Sequence, residues 1–257
     1  MGYADDYEDD IARAGMLLRE ACHAVALTGA GISTPSGIPD FRSPELGLWE
    51  RVDPMEVASL YAFRQHPEAF YDWIRPLAVT LLAAEPNPGH RALARLEDEG
   101  RLKAIITQNI DDLHQRAGSR EVLELHGHMR EMICISCYRV VPVPEVVDEF
   151  LSSGEVLRCE VCGGVMKPSV VLLGEQLPIE VVNKAMEHVR QADLMLIAGS
   201  SLEMLPASHL PLVVHEHDGR LIVVNLTPTY VDDVADVVIH ADVADVLPRI
   251  ARACEGG

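Results

Sequence analysis

The chain has 257 residues, long for one minimal domain and short for two full ones, so one large domain carrying a small inserted module fits the length. Lys and Arg total 21 against 40 Asp and Glu, a net charge of −19 that keeps a surface soluble, repels phosphate backbones and suits basic peptides, so direct nucleic-acid binding is not expected. Aromatics are only 5%, so aliphatic side chains must fill most of the core; with no apolar run of about 18 residues and no secretory pattern at the start, no membrane span is expected and the expected setting is cytoplasmic.

Asp9–Ala21 opens the pattern, with Ile11, Ala14, Leu17 and Leu18 on one face at helical spacing. His23–Leu27 reads as the first strand. The stretch 32–90 carries Pro35, Pro39, Pro44, Pro54, Pro67, Pro76, Pro86 and Pro88, and reads as a loop followed by short helices. A helix at His90–Glu99 follows the turn-like Pro86–Gly89. Leu102–Ile106 and Val122–Leu125 read as the next two strands. Residues 128–167 hold four cysteines and few long periodic runs. A helix at Pro178–Arg190, a strand at Leu194–Ala198, a helix at Ala207–His217 and strands at Arg220–Val224 and Val237–Ile239 complete the alternation. This order predicts an α/β fold: a Rossmann-like parallel sheet with helices on both faces, a small inserted cysteine module and a helical and loop insertion. Residues 1–31, 91–127 and 168–257 are assigned to the sheet domain, 32–90 to the loop and helical insertion, and 128–167 to the cysteine module.

In an open α/β sheet, ligands bind outside the carboxyl ends of the strands. Here those ends are followed by Thr28–Ser33, Thr107–His114, His126-Gly127, Gly199-Ser200-Ser201 and Asn225-Leu226-Thr227. The concentration of Gly, Ser, Asn and His predicts a ligand crevice, although loop polarity alone produces part of the pattern. Gly29-Ala30-Gly31 matches the start of a dinucleotide fingerprint, in which glycine lets backbone approach a pyrophosphate at a helix N-terminus. Thr34 stands where the third glycine usually falls, so a plain strand-to-helix turn remains an alternative. The polar loop Thr34–Ser43 brings Asp40, Phe41 and Arg42 to the same turn. Phe41 suits the covering of a flat ring, and Arg42 suits pairing with phosphate or ribose oxygens.

Cys134-x-x-Cys137 and Cys159-x-x-Cys162 are separated by 21 residues. Two such hooks bring four thiolates to one metal at tetrahedral angles, which reads as a closed, structural zinc site. Disulfides are the alternative, and nothing indicates the oxidising compartment they need. Cys22, just ahead of a strand, is expected to be a buried small apolar residue. Cys254 is expected to lie on a frayed terminus.

Taken together, these motifs resemble the sirtuins. The resemblance runs from about Ala24 to Leu247 and closely follows the bacterial and archaeal type. It rests on GAGISTPSGIPDFRS (29–43), TQNIDDLHQRAG (107–118), ELHG (124–127), the two cysteine hooks, KPSVVLLGEQLP (167–178), GSSLEMLPAS (199–208) and VNLTPT (224–229). It implies an NAD-dependent protein-lysine deacylase that consumes NAD⁺, moves the acyl group of an acyl-lysine to the ribose, and releases nicotinamide, O-acyl-ADP-ribose and free lysine.

The resemblance also implies roles. His126 is the base, and imidazole suits that task because it titrates near working pH. Gly29, Ala30, Gly31, Thr34, Asp40, Phe41, Arg42, Gln108, Asn109, Ile110 and Asp111 are NAD contacts, with Asn109 and Asp111 shaping the nicotinamide pocket. Gly199, Ser200, Ser201, Asn225 and Asp242 belong to the adenosine half. Cys134, Cys137, Cys159 and Cys162 hold the zinc. Val171, Leu172, Leu173 and Gly174 line the acyl-lysine groove and pair with the substrate backbone. His114 reads as structural support, and the remaining histidines, His90 among them, as surface or packing residues.

Three positions depart from the family pattern. Leu172 and Leu173 stand where aromatics are common, which suggests room for an acyl chain longer than acetyl. Members that remove succinyl groups carry a Tyr-x-x-Arg pair; here Tyr71 is followed by Ile74, and Arg75 lies about 100° further round a helix. Asp112 replaces a small or other polar residue and receives no function. Two other readings use the same features: a protein ADP-ribosyltransferase, and a non-catalytic module that senses NAD. A dehydrogenase is disfavoured, because no clear acidic residue ends a second strand to hold the adenine ribose.

Overall fold

The computed structural model describes residues 7–40 and 52–255. Helix α1 (Glu8–Glu20) leads into strand β1 (Ala24–Thr28), which ends in two short 3₁₀ turns at Ala30–Ile32 and Thr34–Ser36. Helices α2 (Pro54–Val57), α3 (Leu60–Gln65) and α4 (Pro67–Ala83) follow, then α5 (Pro88–Asp98), β2 (Ala104–Thr107), α6 (Leu113–Ala117) and β3 (Val122–Glu124). The cysteine module contributes β4 (Gly127–Cys134), β5 (Val140–Pro142), α7 (Val143–Ser152) and β6 (Met166–Val170). The chain closes with α8 (Ile179–Gln191), β7 (Leu194–Ala198), α9 (Leu210–Glu216), β8 (Arg220–Val224), β9 (Val237–Ile239) and α10 (Val243–Glu255).

Six strands form one parallel sheet in the order β3-β2-β1-β7-β8-β9. The order reverses between β1 and β7, where Ala24 pairs with Leu194 and Thr28 with Ala198. A reversal of this kind opens a crevice at the carboxyl ends, because the flanking crossovers leave to opposite faces. β1 is buried at all five positions, as a strand covered on both faces must be. One face packs Ala24, Ala26, Ile105 and Leu196 against α1, α5 and α10. The other packs Val25, Leu27, Met195 and Val223 against α8 and α9. Among the described residues, no helix is long and apolar enough to cross a membrane.

A second sheet, antiparallel in the order β5-β4-β6, carries the cysteines. Its apolar side shares one cluster with the helical insertion: Phe63, Phe70, Tyr71 and Ile74 pack with Met132, Phe150, Leu157 and Met166. The two stretches that interrupt the βα alternation therefore bury their apolar surface against each other.

Several expectations are corrected. The Pro-rich stretch was expected to hold short helices only, but α4 runs for 17 residues with Pro76 inside it. Phe70, Tyr71, Ile74, Leu77, Ala78 and Leu81 give α4 a continuous buried face, and that burial outweighs the lost backbone bond at the proline. The single helix expected at Ala207–His217 is a 3₁₀ turn, Ala207–His209, followed by α9. Helix α10 adds an element to the pattern. Val243, Val246, Leu247, Ile250, Ala251 and Cys254 lie on its buried side. Cys254 is thus not frayed: it is 1% exposed in the core. Cys22 is exposed, not buried, and its amide donates to Asp193 Oδ2 at 2.7 Å at the amino-terminal edge of the sheet.

Candidate active site

The crevice is shaped by backbone that only glycine allows. Gly199, after β7, has φ +61, and a Cβ there would come within 2.2 Å of the Ile32 amide nitrogen. The Gly31 amide donates to the Gly199 carbonyl at 2.8 Å, so the turns after β1 and β7 touch directly. Beyond them lies a narrow cleft of about 30 Å³ lined by Gly31, Thr34, Gly199, Asn225, Leu226, Asp242 and Val243. Thr34 donates from Oγ1 to the Gly31 carbonyl at 3.0 Å. Asn225 donates from Nδ2 to the Thr227 carbonyl at 2.7 Å, which folds its loop. Asp242 Oδ1 accepts from the Ala244 amide at 2.7 Å and so caps α10 at the cleft edge. Ser200 is buried, accepts from Gln108 Nε2 at 2.9 Å, and ties the β2 end to the β7 end; Ser201 beside it is exposed.

Behind the turns, a buried polar network joins four segments. Ser33 Oγ donates to Asp111 Oδ2 at 2.6 Å and accepts from Asn109 Nδ2 at 3.0 Å. The Leu113 amide donates to Asp111 Oδ1 at 3.0 Å. Burial raises the Asp111 pKa above the usual carboxylate value, against the pull of the hydrogen bonds from Ser33, Leu113 and Asn109. His90 stands on the other side of Ser33, with Nε2 at 3.4 Å from its Oγ. The Asn87 amide donates to His90 Nδ1 at 3.4 Å, so this nitrogen carries the lone pair and the ring is neutral. Burial lowers the His90 pKa from 6.5 to about 4.

A further link runs through threonines. Thr28 Oγ1 donates to Thr107 Oγ1 at 2.8 Å and lies 2.9 Å from His114 Nε2, so His114 donates to Thr28. His114 is 1% exposed and packs edge-on to His90, with ring centroids 4.9 Å apart. His114 serves as internal support. His90, read as a surface or packing residue, is buried, packs on His114 and joins this network. The Asn-Pro-Gly-His run at 87–90 held the signal: Asn87 caps α5, accepting from the Gly89 and His90 amides, while its Nδ2 donates to the Ile32 carbonyl at 2.7 Å. Ser33 and Asn87 are likewise additions to the site.

His126 sits at the joint between the two sheets, two residues after β3 and one before β4. Its Nδ1 lies 3.0 Å from the Gln108 carbonyl. A carbonyl only accepts, so Nδ1 carries a proton and the ring is held at the end of β2. The His126 carbonyl accepts from the Val171 amide at 2.8 Å, which fixes the strap 171–174 to the same joint. Leu173 donates to the Ala58 carbonyl and accepts from the Leu60 amide, both at 2.9 Å. Leu172 is buried in the cluster shared by the helical insertion and the cysteine module. Gly174 is exposed. The backbone of the strap is thus already partnered at Val171 N and at Leu173.

The structure brings Gly29, Ala30, Gly31, Thr34, Gln108, Asn109, Ile110 and Asp111 onto the adjacent β1 and β2 ends, beside Gly199 and Ser200 on β7. Asp40 closes the first described segment. Phe41 and Arg42 lie outside the described residues. In the module, Cys134 Sγ and Cys162 Sγ are 3.5 Å apart, Cys137 Sγ and Cys159 Sγ 3.7 Å, and all four lie within 4.8 Å of one another. Zinc–sulfur bonds of about 2.3 Å set tetrahedral edges of about 3.8 Å, so the four thiols fit a zinc ion. The Ser136 and Gly164 amides point at Cys134 and Cys162 sulfurs at 3.4 Å, as amides do toward metal-bound thiolates.

Comparison with known proteins bears on this arrangement. The model of the Sir2 family matches residues 29–206. An NAD-dependent protein deacylase 2 from Archaeoglobus fulgidus is 46% identical over 246 residues, covering 95% of this chain and 96% of its own. An NAD-dependent protein deacetylase from Sulfurisphaera tokodaii is 47% identical over 238 residues, 93% of each chain. Among solved structures, a Sir2 complex with a p53 peptide and NAD⁺ superposes with a TM-score of 0.86 at 39% identity, covering 96% of this chain and 98% of that one. A Sir2 protein bound to a myristoylated histone peptide gives 0.82 at 40% identity, covering 96% and 97%.

Proposed function

The chain belongs to the Sir2 family, and from that premise we propose that it is an NAD-dependent protein-lysine deacylase with His126 as its base. The observation that supports this most is how His126 is held. With Nδ1–H held by the Gln108 carbonyl, the ring is fixed at the joint between the NAD rim and the strap, where Nε2 is the nitrogen assigned to take the proton.

NAD⁺ supplies an activated ribosyl carbon and the ribose that accepts the acyl group. Asn109 and Asp111, held through Ser33, bind the nicotinamide carboxamide. Gly29–Gly31, Thr34, Ser200, Asn225 and Asp242 take the phosphates and adenosine half, where amides at helical turns favour anions. Gly174 and the Val171 carbonyl pair with the peptide, and Leu172 and Leu173 wall the acyl chain. The amide oxygen of acyl-lysine is a weak nucleophile, so the strap's alignment supplies much of the rate. The amide oxygen bonds to the ribosyl carbon as nicotinamide leaves. His126 Nε2 then accepts the proton of a ribose hydroxyl, and the freed 2′ oxygen attacks the imidate carbon. Water completes the release of free lysine and O-acyl-ADP-ribose. Cys134, Cys137, Cys159 and Cys162 hold a structural zinc that keeps the module in shape.

Neutral acyl groups are the preferred cargo. Tyr71 is buried and donates from its hydroxyl to the Met166 carbonyl at 2.8 Å, and Ile74 is 1% exposed in the core. Arg75 donates from Nε to the Phe150 carbonyl at 2.8 Å. The groups that could greet an acidic acyl chain are committed to internal contacts. Incubation with NAD⁺ and acetyl-, butyryl-, myristoyl- and succinyl-lysine peptides, followed by product masses, tests the reading. Nicotinamide and O-acyl-ADP-ribose should appear in equal amounts, with succinyl slower by at least about tenfold. ADP-ribose retained on protein without deacylation would overturn it.

A further inference from the structure

Arg130, on β4, takes no part in the chemistry above, yet its guanidinium joins both sides of the site. Nη1 donates to Asp112 Oδ1 at 2.5 Å and to Glu124 Oε1 at 2.8 Å, while Nη2 donates to Glu124 Oε2 at 2.5 Å. Gln115 Nε2 adds a bond to Glu124 Oε1 at 2.9 Å. The two carboxylates come from separate segments. Asp112 directly follows Asp111, and Glu124 ends β3 two residues before His126. Arg130 itself comes from the strand that starts just after His126.

The two carboxylates sit in different surroundings. Asp112 has φ +64, a left-handed conformation uncommon outside glycine, asparagine and aspartate, so its loop is tightly turned. The Glu124 side chain is 10% exposed, so its charge is largely withdrawn from water and needs a partner. The planar guanidinium meets this demand, with both arms on Glu124 and one reaching Asp112. Without it, two carboxylates would face each other between the nicotinamide-side loop and the strand leading to the base.

We propose that Arg130 is a positioning residue: by clamping Asp112 to Glu124 it sets the spacing between Asp111 and His126. This rests on the roles proposed above for those two residues. Lysine is a poor replacement, because a single ammonium does not reproduce the fork.

The zinc-loaded protein, Arg130→Gln, Arg130→Lys and the charge swap Asp112→Arg/Arg130→Asp are compared for kcat, KM for peptide, nicotinamide inhibition and thermal midpoint. Arg130→Gln should lower kcat by roughly tenfold to a hundredfold, the range for an ångström-scale misplacement. It should also weaken nicotinamide inhibition by at least about threefold while leaving the peptide KM in place. The swap, which keeps an arginine facing Glu124 and a carboxylate opposite, should restore both within about threefold. Unchanged kcat and nicotinamide inhibition in Arg130→Gln would overturn the clamp. So would a fall in kcat that only tracks the thermal midpoint, with nicotinamide inhibition intact, since that marks lost fold and not lost spacing. If Arg130→Gln does not fold, Arg130→Lys decides: a folded lysine variant with kcat and nicotinamide inhibition intact overturns the clamp. Absence of deacylation in the unaltered protein would instead remove the deacylase reading itself.

Discussion

At the rim of the parallel sheet, irregular backbone is held by buried hydrogen bonds between side chains from distant segments. Ser33, Asn87, His90, Asn109 and Asp111 each have a partner there, and the loops they join sit on a six-strand core covered on both faces. In the cysteine module, Tyr138, Val140 and Val161 are exposed, and Cys137 and Cys162 lie at the surface. A domain that small buries too little to fix its own turns, so four thiolates on one ion supply what a core supplies elsewhere. The rim is held by desolvated hydrogen bonds, and the module by the geometry of its four thiols.

That contrast can be broken at its functional end first. His126→Ala should lower kcat by about 10²- to 10⁴-fold, the usual worth of a general base, with NAD⁺ binding and thermal midpoint close to the unaltered protein. Retained turnover would remove the base assignment. Next in size is metal removal. A zinc chelator, or Cys159→Ser, should collapse the module and abolish peptide turnover, while the parallel sheet keeps most of its far-UV signal. Because Cys134 and Cys159 pack with Phe63 and Phe70, hydrogen exchange should also rise in α4. Loss of both regions together would show that they are not stabilised separately.

The rim has its own handle in pH. Folding lowers the His90 pKa from 6.5 to about 4, so between these values the unfolded chain binds the proton more readily. Stability should therefore be full above pH 6.5 and fall as pH drops towards 4, by up to about 3 kcal/mol from this residue. Urea midpoints at pH 7 and 5 should separate less in His90→Gln than in the unaltered protein. An equal separation would place the sensitivity elsewhere. The smallest effect belongs to the sheet's far side: Cys254→Ala should cost about 1 kcal/mol of stability without altering kcat. A frayed terminus would give no change in thermal midpoint.

Local signals made much of this legible along the chain. Leu194–Ala198, Arg220–Val224 and Val237–Ile239 are strands at the expected residues, because fully buried parallel strands are short apolar runs bounded by polar loops. The cysteine hooks were readable because metal geometry fixes ligand spacing within each turn. The hydrogen bond that holds His126, the link from Ser33 to His90 and the fork of Arg130 were not readable, since each joins residues from separate segments and depends on which loop ends the sheet brings together. Cys22 and Cys254 make the same distinction most simply. Both are small thiols beside helical or strand residues, but Cys22 lies at the exposed amino-terminal end of β1, while α10 packs Cys254 into the core. The chain alone determined where the parallel strands lie along the sequence and which four cysteines come together, because these depend on period and spacing. The tertiary structure alone decided the protonation, partners and burial of the side chains, because these depend on what each group loses when water is removed.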